Sequence, residues 1–581
     1  MKYLFLILIF LISCSTKVKQ ERQISHVFES YWEERSKLFP LDATSQGDNR
    51  YNDLLPNDQT EEFRNYLQAF YSRYLNELQS FNRGELNPQD QVSFDIFQYE
   101  MEMNLKGLAL DLWMIPFQQF WGLPLTMGQL GSGDHFQPFK TVQDYRNWIS
   151  RMRAFSAWTD SAINNFRQGI KTKFVLPKVL VAKMIPQMKD MVKEDVTKSL
   201  FYTPVTKFPT TFTEGDKQAL TMEYTQAIKE FINPSYQKLH DFLKKEYLPQ
   251  ARKTSGISAV RGGTQTYDYL AKYWTTTEKS PQEIYDIGLS EVARIKKEMM
   301  VVKEAVGFKG DLKSFFKFIN KDKKFTPYKT PEEVLTAFRD IYPRMEPQLK
   351  TMFGRVPKTP FEIRQTEAFR AESASAEYNP GSPDGTRPGI FYIPILDAKK
   401  FNITSGMESL FLHEAIPGHH YQISLQQESE TLPKFRRFSW YGAYGEGWAL
   451  YTESLGKELG LYTDPYQYVG ALSDEMHRAV RLVVDVAIHT KNMTREQAIK
   501  YMMEQEPISL QGATAEIERY MAIPGQALSY KIGSLKIWEL RKKYQAKLGD
   551  KFKLSDFHDE YLADGCMPLA VEERKMDLKF Q

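Results

Sequence analysis

Three histidines and a glutamate that follow a short apolar run are the residues of this sequence best suited to chemistry. His413 and Glu414 come first, and His419 and His420 follow a few residues later. Imidazole nitrogens and carboxylate oxygens are zinc ligands, and a catalytic zinc site combines three protein ligands with one water. Zinc lowers the pKa of that water, and a neighbouring carboxylate can take its proton during attack on a carbonyl group. The segment therefore predicts a site for one zinc ion, with His413 as a ligand and Glu414 as the general base.

The spacing to the second histidine departs from the usual pattern, which places the two histidines four residues apart. His413 and His419 are six residues apart, which separates them by about 120° around an ideal helix. Pro417 cannot donate a helical hydrogen bond, so a kink there could bring the two side chains together. His420 lies on nearly the same face as His413 but about 10.5 Å along the axis. We expect His419 to be the ligand and His420 to support the ligands or contact substrate; a histidine-rich helix end without metal is the alternative.

A third ligand is predicted on a second helix. Glu446 lies 27 residues after His419, between glycines and ahead of a helical segment. Two histidines with a downstream glutamate form a known catalytic zinc pattern. Glu453 falls on the same helix face two turns later, where it could orient a ligand histidine. The alternative for Glu453 is a solvent-exposed helix glutamate.

A buried helix is predicted over residues 479–488, which are apolar on every side except at Arg481 and Asp485. Buried charges must be paired, and these two residues, four apart, could pair with each other. His489 continues the same four-residue stripe. We expect a structural ion pair for Arg481, a supporting role beside the metal ligands for Asp485, and a position near the substrate for His489.

The segment from Glu518 to Lys531 gathers many hydrogen-bonding groups around a helix break. A zinc hydrolase needs donors that stabilise the oxyanion formed when the carbonyl is attacked. We expect that donor to be His489, Tyr520 or Tyr530. Since the chain contains 32 tyrosines, simple packing is the alternative for either tyrosine.

The elements that position these residues are predicted to be mostly α-helices. N-capping residues followed by a glutamate or glutamine mark helix starts at Ser280, Thr330 and Thr494. Between residues 357 and 402 the sequence is rich in Pro, Gly, Ser and Asp, and it contains a β-like run at Gly389–Ile393. The pattern predicts two helical lobes around a cleft, with a small sheet or hairpin beside the metal helix.

The amino terminus predicts export. Lys2 precedes an apolar run of about ten residues, which is too short to span a bilayer and has the length of a signal-peptide core. Leu11 to Cys14 resembles a bacterial lipobox, so we predict a signal peptide over 1–13, a lipid on Cys14 that anchors the chain to a membrane, and a tether over 14–20. Because Ser15 replaces the aspartate of inner-membrane retention, we expect the outer membrane, on its periplasmic face or at the cell surface. A plain secretory signal is the alternative.

Composition excludes several other classes. The formal charge is only +3, from 76 basic and 73 acidic residues, so no nucleic-acid partner is expected. Cys566 is the only cysteine besides Cys14, so an internal disulfide is not expected and folding rests on core packing. We predict one large domain over 21–581, with its catalytic motifs within 387–531.

The sequence resembles the domain of unknown function 885 family, many members of which are lipoproteins. The resemblance extends over nearly the whole mature chain. It is carried by the segments Phe39–Asp48, Gly385–Gly389, His413–Gln422, Glu446–Tyr451 and Arg519–Ala527.

That family is similar to the clan of helical His-Glu-x-x-His peptidases, which includes carboxypeptidase Taq, the thimet oligopeptidases and angiotensin-converting enzyme. The similarity implies a helical clamshell with a deep cleft, zinc, and short peptide substrates. By position it implies ligands at His413, His419 and Glu446, a general base at Glu414, and a substrate-binding strand at Phe391–Pro394. The two-residue insertion between the histidines departs from the clan pattern.

These observations favour a zinc peptidase that hydrolyses short peptides in the periplasm or at the cell surface. Two alternatives stay open. One is a non-catalytic outer-membrane lipoprotein that binds nutrients for a transporter, and the other is a zinc hydrolase of a non-peptide amide.

Overall fold

Helices form most of the protein, as predicted. The computed structural model describes residues 23–366, 375–383, 385, 387–404 and 406–581. Cys14, the signal peptide over 1–13 and the tether over 14–20 lie outside the described residues. No helix within the described ranges is long and apolar enough to cross a lipid bilayer.

The first part of the chain is helical up to Met352. Its helices are α1 (Ile24–Leu38), α2 (Pro40–Ser45), α3 (Glu61–Leu78), α4 (Pro88–Leu108), α5 (Leu123–Gly131), α6 (Val142–Thr172), α7 (Lys178–Asp190), α8 (Glu214–Ala227), α9 (Asn233–Phe242), α10 (Leu248–Gln250), α11 (Gly263–Thr275), α12 (Pro281–Ala305), α13 (Leu312–Lys321), α14 (Pro331–Arg339) and α15 (Ile341–Met352). Turns of π-helix at Ile228–Ile232 and Leu243–Tyr247 join α8, α9 and α10 into one continuous helix.

Helices begin where the sequence supplies capping groups. Ser280, Thr330 and Thr494 each accept a hydrogen bond from the backbone N–H three residues later. Pro281 and Pro331 occupy the first helical position, where a missing N–H costs nothing. All three predicted helix starts are confirmed.

One small sheet follows α15, in the region where the sequence predicted β structure. It consists of β1 (Phe361–Gln365), β2 (Glu377–Asn379) and β3 (Gly389–Ile393), in the order β1-β3-β2. β3 pairs parallel with β1 and antiparallel with β2. The strand predicted at Gly389–Ile393 is therefore confirmed. Both edges of β3 are paired from Ile390 to Tyr392, so the backbone of Phe391 and Tyr392 is not free to pair with a substrate. For Ile393 and Pro394, substrate binding stays a prediction.

The remaining helices carry the site. They are α16 (Met407–Glu414), α17 (His419–Glu428), α18 (Lys434–Arg437), α19 (Gly442–Ser454), α20 (Pro465–Thr490), α21 (Arg495–Gln505), α22 (Leu510–Ala522), α23 (Ser529–Leu548), α24 (Leu554–Leu562) and α25 (Leu569–Lys579). A 3-10 turn at Gln526–Leu528 links α22 to α23.

Buried apolar side chains form two large cores and one small core. The first large core is built mainly from α6 to α9, α12, α13 and α20 to α22, and the second from α1, α3, α4, α14 to α16, α19 and α23 to α25. Helix α20 contributes Val480 to the first core, Ala471 to the second and Leu482 to the small one. The two large cores correspond to the two predicted lobes, and α20 joins them.

Candidate metal centre

The two candidate histidines belong to different helices. α16 ends at Glu414, one residue after His413, and α17 begins at His419. Ala415 and Gly418 have ψ angles of −109° and −129°, far from helical values, so the chain turns sharply between them. The structure thus contains a helix break where the sequence predicted a kink. The break removes the angular separation that a continuous helix would impose on the two side chains.

Close packing holds this break in place. A Cβ atom on Gly418 would lie 1.9 Å from the carbonyl oxygen of His413, so only glycine fits there. Trp448 donates from its indole N–H to the carbonyl of Pro417 (2.8 Å), and the hydroxyl of Thr452 donates to the carbonyl of Leu412 (2.8 Å). Helix α19 therefore satisfies backbone carbonyls on both sides of the turn and fixes the two histidines relative to itself.

Helix α19 also carries the predicted third ligand. Gly447 packs directly against Gly533 of α23, and a Cβ on Gly447 would lie 2.6 Å from its backbone. Gly445 lies against the ring of Trp440, which is 5.8 Å from the ring of His419. These small residues allow close approach on either side of Glu446, whose side chain is 16% exposed. The glutamate consequently points into the space beside the two histidines.

The three predicted ligands converge. Oε2 of Glu446 lies 3.4 Å from Nε2 of His419 and 3.7 Å from Nε2 of His413. The ligand atoms of all three residues lie within 4.8 Å of one another, and no other such group of three occurs among the residues that the structure describes. Ligands at 2.0–2.1 Å around a tetrahedral zinc ion would be about 3.3 Å apart. The donor set and spacing of this histidine–glutamate cluster (His413, His419 and Glu446) therefore fit a zinc ion.

Glu453 orients His413. Its Oε1 accepts a hydrogen bond from Nδ1 of His413 at 2.6 Å, and both side chains are buried. Burial alone would lower the pKa of His413, but the neighbouring carboxylates of Glu446 and Glu453 outweigh it and raise the pKa to about 10. Burial likewise would raise the pKa of Glu446, whereas the adjacent rings of His413 and His419 lower it. In metal sites, a carboxylate commonly accepts a hydrogen bond from the ring nitrogen of a ligand histidine that faces away from the metal. Glu453 has this position relative to His413, whose Nε2 faces Glu446 and His419.

Glu414 lies beside the cluster without joining it. Its side chain is 8% exposed, and it makes no hydrogen bond within the described part of the chain. Burial raises the pKa of its carboxyl group, although His413 and His419 oppose that shift. A buried carboxylate with free oxygens and a raised pKa can accept and return a proton, which is the property required of a general base.

His420 faces the small sheet and not the cluster. Its Nδ1 lies 3.0 Å from the hydroxyl of Tyr378 in β2, and its ring is 4.8 Å from Phe361 in β1. Burial lowers its pKa to about 4. His420 thus links the metal helix to the sheet, and His419 is the histidine that meets His413 and Glu446.

Of the three predicted oxyanion donors, Tyr530 lies nearest the cluster. Its ring stacks against His413 with centroids 6.4 Å apart. Within the described residues its hydroxyl has no hydrogen-bond partner, and burial followed by the charge of Glu446 raises its pKa. The guanidinium groups of Arg481 and Arg478 lie 4.8 and 5.9 Å from the ring centre. Arg478 was not singled out in the sequence, although it belongs to the same helix as Arg481.

The hydroxyl of Tyr520 is already occupied. It donates to Glu516 (2.6 Å) and accepts from Nε of Arg481 (2.9 Å). Arg481 also donates to Glu516 (2.8 Å), so the predicted ion pair between Arg481 and Asp485 is wrong. The actual partner comes from α22, which the spacing within α20 could not reveal.

His489 and Asp485 serve backbone groups. Nδ1 of His489 accepts from the N–H of Ile257 (3.0 Å), and Nε2 lies 3.0 Å from the carbonyl of Tyr520. Asp485 accepts from the hydroxyl of Tyr267 (2.6 Å) and the N–H of Gly525 (3.1 Å). Neither residue directs a free atom to the histidine–glutamate cluster, so their predicted positions near substrate and beside the ligands gain no support from this geometry.

Comparisons with known proteins identify relatives across the whole chain. A structure described as a "putative lipoprotein" from Colwellia psychrerythraea is 29% identical, with a TM-score of 0.88 over 96% of this chain and 98% of that one. A "putative lipoprotein of unknown function" from Shewanella oneidensis is 19% identical, with a TM-score of 0.75 over 96% and 100% of the respective chains. No curated protein matches. Residues 40–576 match the family described as bacterial protein of unknown function (DUF885), and the chain therefore belongs to that family.

Proposed function

We propose that this protein is a zinc-dependent hydrolase in which His413, His419 and Glu446 hold one zinc ion. The observation that carries the proposal is the convergence of these three ligand atoms within 4.8 Å, with Glu453 fixing Nδ1 of His413. Two imidazoles, one carboxylate and an open fourth position are typical of catalytic zinc. A zinc ion held there would supply Lewis-acid activation of a water molecule and of the scissile carbonyl.

The residues of the chain have separate tasks in this proposal. Glu414 takes the proton of the attacking water as its oxygen adds to the carbonyl carbon, and returns that proton to the leaving nitrogen as the C–N bond breaks. The free hydroxyl of Tyr530 donates to the carbonyl oxygen as negative charge develops on it. Glu453 keeps the proton on Nδ1 of His413, so that the lone pair of Nε2 faces the metal position.

Peptides are the proposed substrates, on the strength of the resemblance to helical zinc peptidases. The test is to measure the metal content of the purified protein and its hydrolysis of a peptide library, with and without chelator. We expect one equivalent of zinc and chelator-sensitive cleavage that zinc restores. Iron in place of zinc would indicate an oxygenase-type site, since two histidines and one carboxylate also bind Fe(II). Hydrolysis of non-peptide amides alone would retain the zinc site and reject the substrate class.

We further propose that the mature chain is exported and anchored through a lipid on Cys14, in the outer membrane. The lipobox-like segment before Cys14 supports this, as do the descriptions of both solved relatives as lipoproteins. Cys14→Ala should yield unlipidated protein, measured by fractionation and by mass spectrometry of the mature amino terminus. Wild-type protein without an acyl group would contradict the proposal, and separation of inner from outer membranes tests the location.

A further inference from the structure

A cavity of about 720 Å³ lies between segments that the proposed hydrolytic reaction does not use. Its walls include Phe39–Asp42 near the amino terminus and Ala522–Pro524 after α22, two stretches that carry the family resemblance. None of the proposed zinc ligands lines it. The volume falls within the range of about 300–1,000 Å³ that small-molecule sites occupy.

Aromatic side chains dominate this cavity. Trp121 and Trp274 lie with ring centroids 6.3 Å apart, and Trp158, Phe117 and Phe136 line other parts of the wall. Trp121 is 56% exposed, which places one indole where an incoming ligand can reach it. Indole faces attract cations as well as apolar groups, because their electron density is negative above the ring.

The charges of the wall have one sign. Asp42 and Asp58 line the cavity, and no Lys, Arg or His does so among the described residues. Asp42 is paired with Arg35 at 2.9 Å. Asp58 accepts only from neutral donors, the indole N–H of Trp158 (2.6 Å) and the amide of Gln59 (2.8 Å), and no ion pair within the described chain neutralises it. Behind the wall, the buried guanidinium of Arg151 donates to the carbonyl of Pro40 (3.2 Å), so the one unpaired charge that the described residues of the wall present to a ligand is the exposed carboxylate of Asp58. Aromatic faces beside that carboxylate favour a cation carried on an apolar stem.

The cavity is connected to the candidate metal centre through one segment of chain. The carbonyl of Trp274 accepts a hydrogen bond from the hydroxyl of Ser529 (3.0 Å), which directly precedes Tyr530. The wall residues Ala522–Pro524 begin at the last residue of α22, the helix that carries Tyr520. A ligand that contacts this part of the wall thus touches the start of the α22–α23 connection, which leads to Tyr530 beside His413.

We propose that this cavity binds the protonated amine of a peptide, carried by a lysine side chain or by the amino terminus, while another part of the same peptide occupies the metal centre. Amine binding would add a substrate-recognition site to the proposed hydrolase. It rests on the proposed function only in taking the bound amine to belong to the substrate. Amine binding itself needs no zinc.

The test is calorimetric titration of the zinc-free full chain at pH 6.5, where both amines are protonated. Three probes are compared: leucinamide, Nα-acetyl-lysine methylamide, and the neutral Nα-acetyl-leucine methylamide. We expect at least one amine to bind more tightly than the neutral probe, and the better amine identifies the source of the charge. Trp121→Ala should weaken amine binding about five- to tenfold. Asp58→Asn, which keeps the side-chain size and an acceptor for Trp158, should weaken it about fivefold.

Matched controls lie next to each tested residue. Phe120 neighbours Trp121 and is 43% exposed, and Asp53 lies five positions before Asp58; neither lines the cavity. Phe120→Ala and Asp53→Asn should therefore leave amine binding unchanged. Equal affinity for all three probes, or equal losses in test and control variants, would overturn the proposal. Its failure is separable from that of the zinc proposal, because amine binding is measured without metal and peptide hydrolysis with it.

Discussion

Two groups of histidines and acids differ in what their side-chain atoms are free to do: one is the histidine–glutamate cluster of α16, α17 and α19, and the other consists of His489 and Asp485 of α20. In the histidine–glutamate cluster, an oxygen of Glu446 lies 3.7 Å from Nε2 of His413 and 3.4 Å from Nε2 of His419. In the second group, both ring nitrogens of His489 contact backbone groups, and Asp485 accepts from Tyr267 and Gly525. The second group is fully buried and the histidine–glutamate cluster slightly less so, but the larger difference lies in which of their polar atoms have hydrogen-bond partners.

The difference shows how a buried histidine that can bind a ligand is distinguished from one that maintains the fold. A buried polar atom without a partner costs about 1–3 kcal/mol, so proteins satisfy nearly all of them. His489 is fully satisfied by the chain itself. In the histidine–glutamate cluster, Nε2 of His413, Nε2 of His419 and the facing oxygen of Glu446 have no backbone partner within the described chain, and in the function proposed above the zinc ion would be their partner.

The largest expected effect separates His419 from its neighbour. His419→Ala should lose zinc, because two protein ligands remain where a catalytic site uses three. His420→Ala should keep zinc, because the ring of His420 lies against Tyr378 and Phe361. Metal analysis after dialysis measures both variants. Stoichiometric zinc in His419→Ala, with loss in His420→Ala, would show that the ligand assignment is reversed.

Glu414→Gln tests the next largest effect. The variant should keep zinc, since Glu414 is not one of the converging ligand atoms, and turnover should fall by about 10²- to 10⁴-fold because the general base is lost. Steady-state kinetics together with metal content provide the measurement. Glu408→Gln is the control: this buried glutamate of the same helix accepts from the backbone N–H of Tyr462, pairs with Arg344 (2.7 Å) and is not one of the converging ligand residues. Wild-type turnover in Glu414→Gln would reject the proposed base.

Two tyrosines extend the comparison to the oxyanion donor. Tyr530→Phe should lower turnover by about 10²- to 10³-fold with zinc retained, because its free hydroxyl lies beside the cluster. Tyr520→Phe should mainly lower the free energy of unfolding, by about 1–3 kcal/mol, because Arg481 and Glu516 lose a partner. Kinetics and denaturant unfolding of both variants separate the two roles. The opposite pattern would place Tyr520 at the reaction and Tyr530 in the core.

Local features of this fold could be predicted from the sequence. The helix starts at Ser280, Thr330 and Thr494 depend on capping groups within three residues, and the strand at Gly389–Ile393 depends on a short run of apolar residues. The meeting of His413 with Glu446 was predicted from residue types and order. Each of these inferences uses information that lies within one segment or one motif.

Features that depend on distant partners could not be predicted. Arg481 pairs with Glu516 of α22 and not with Asp485 of its own helix, and spacing along one helix cannot decide between them. The geometry of the break between His413 and His419 depends on another helix, from which Trp448 and Thr452 donate hydrogen bonds to backbone carbonyls on either side of the turn. The four-residue stripe that ends in His489 suggested a chemical role. The sequence could not show that the backbone groups of Ile257 and Tyr520 already occupy both ring nitrogens of His489.

The smallest expected effect is a pH dependence of stability that comes from His489. Burial lowers the pKa of His489 from 6.5 to about 3, and the charge of Arg252 adds to that shift. The neutral ring agrees with the geometry, in which Nδ1 accepts a hydrogen bond from the N–H of Ile257. Above about pH 6.5 the residue is neutral in both the folded and unfolded states, so its contribution is fully present there. Between pH 6.5 and 3 the unfolded chain takes up a proton that the folded chain refuses, and the free energy of unfolding falls as the pH is lowered.

His489→Gln removes this titrating group and keeps an amide that can accept and donate. We expect the variant to be less stable than the wild type at pH 7.5, with a shallower loss of stability between pH 6.5 and 4.5, while its zinc content at neutral pH stays unchanged. Urea unfolding of the metal-free proteins at several pH values measures the two slopes. His26→Gln, at an exposed histidine of α1, serves as the control and should keep the wild-type slope. Identical slopes in wild type and His489→Gln would contradict the burial of His489. Loss of zinc from the variant would instead make His489 part of the metal centre, and either result would remove the distinction between the two groups.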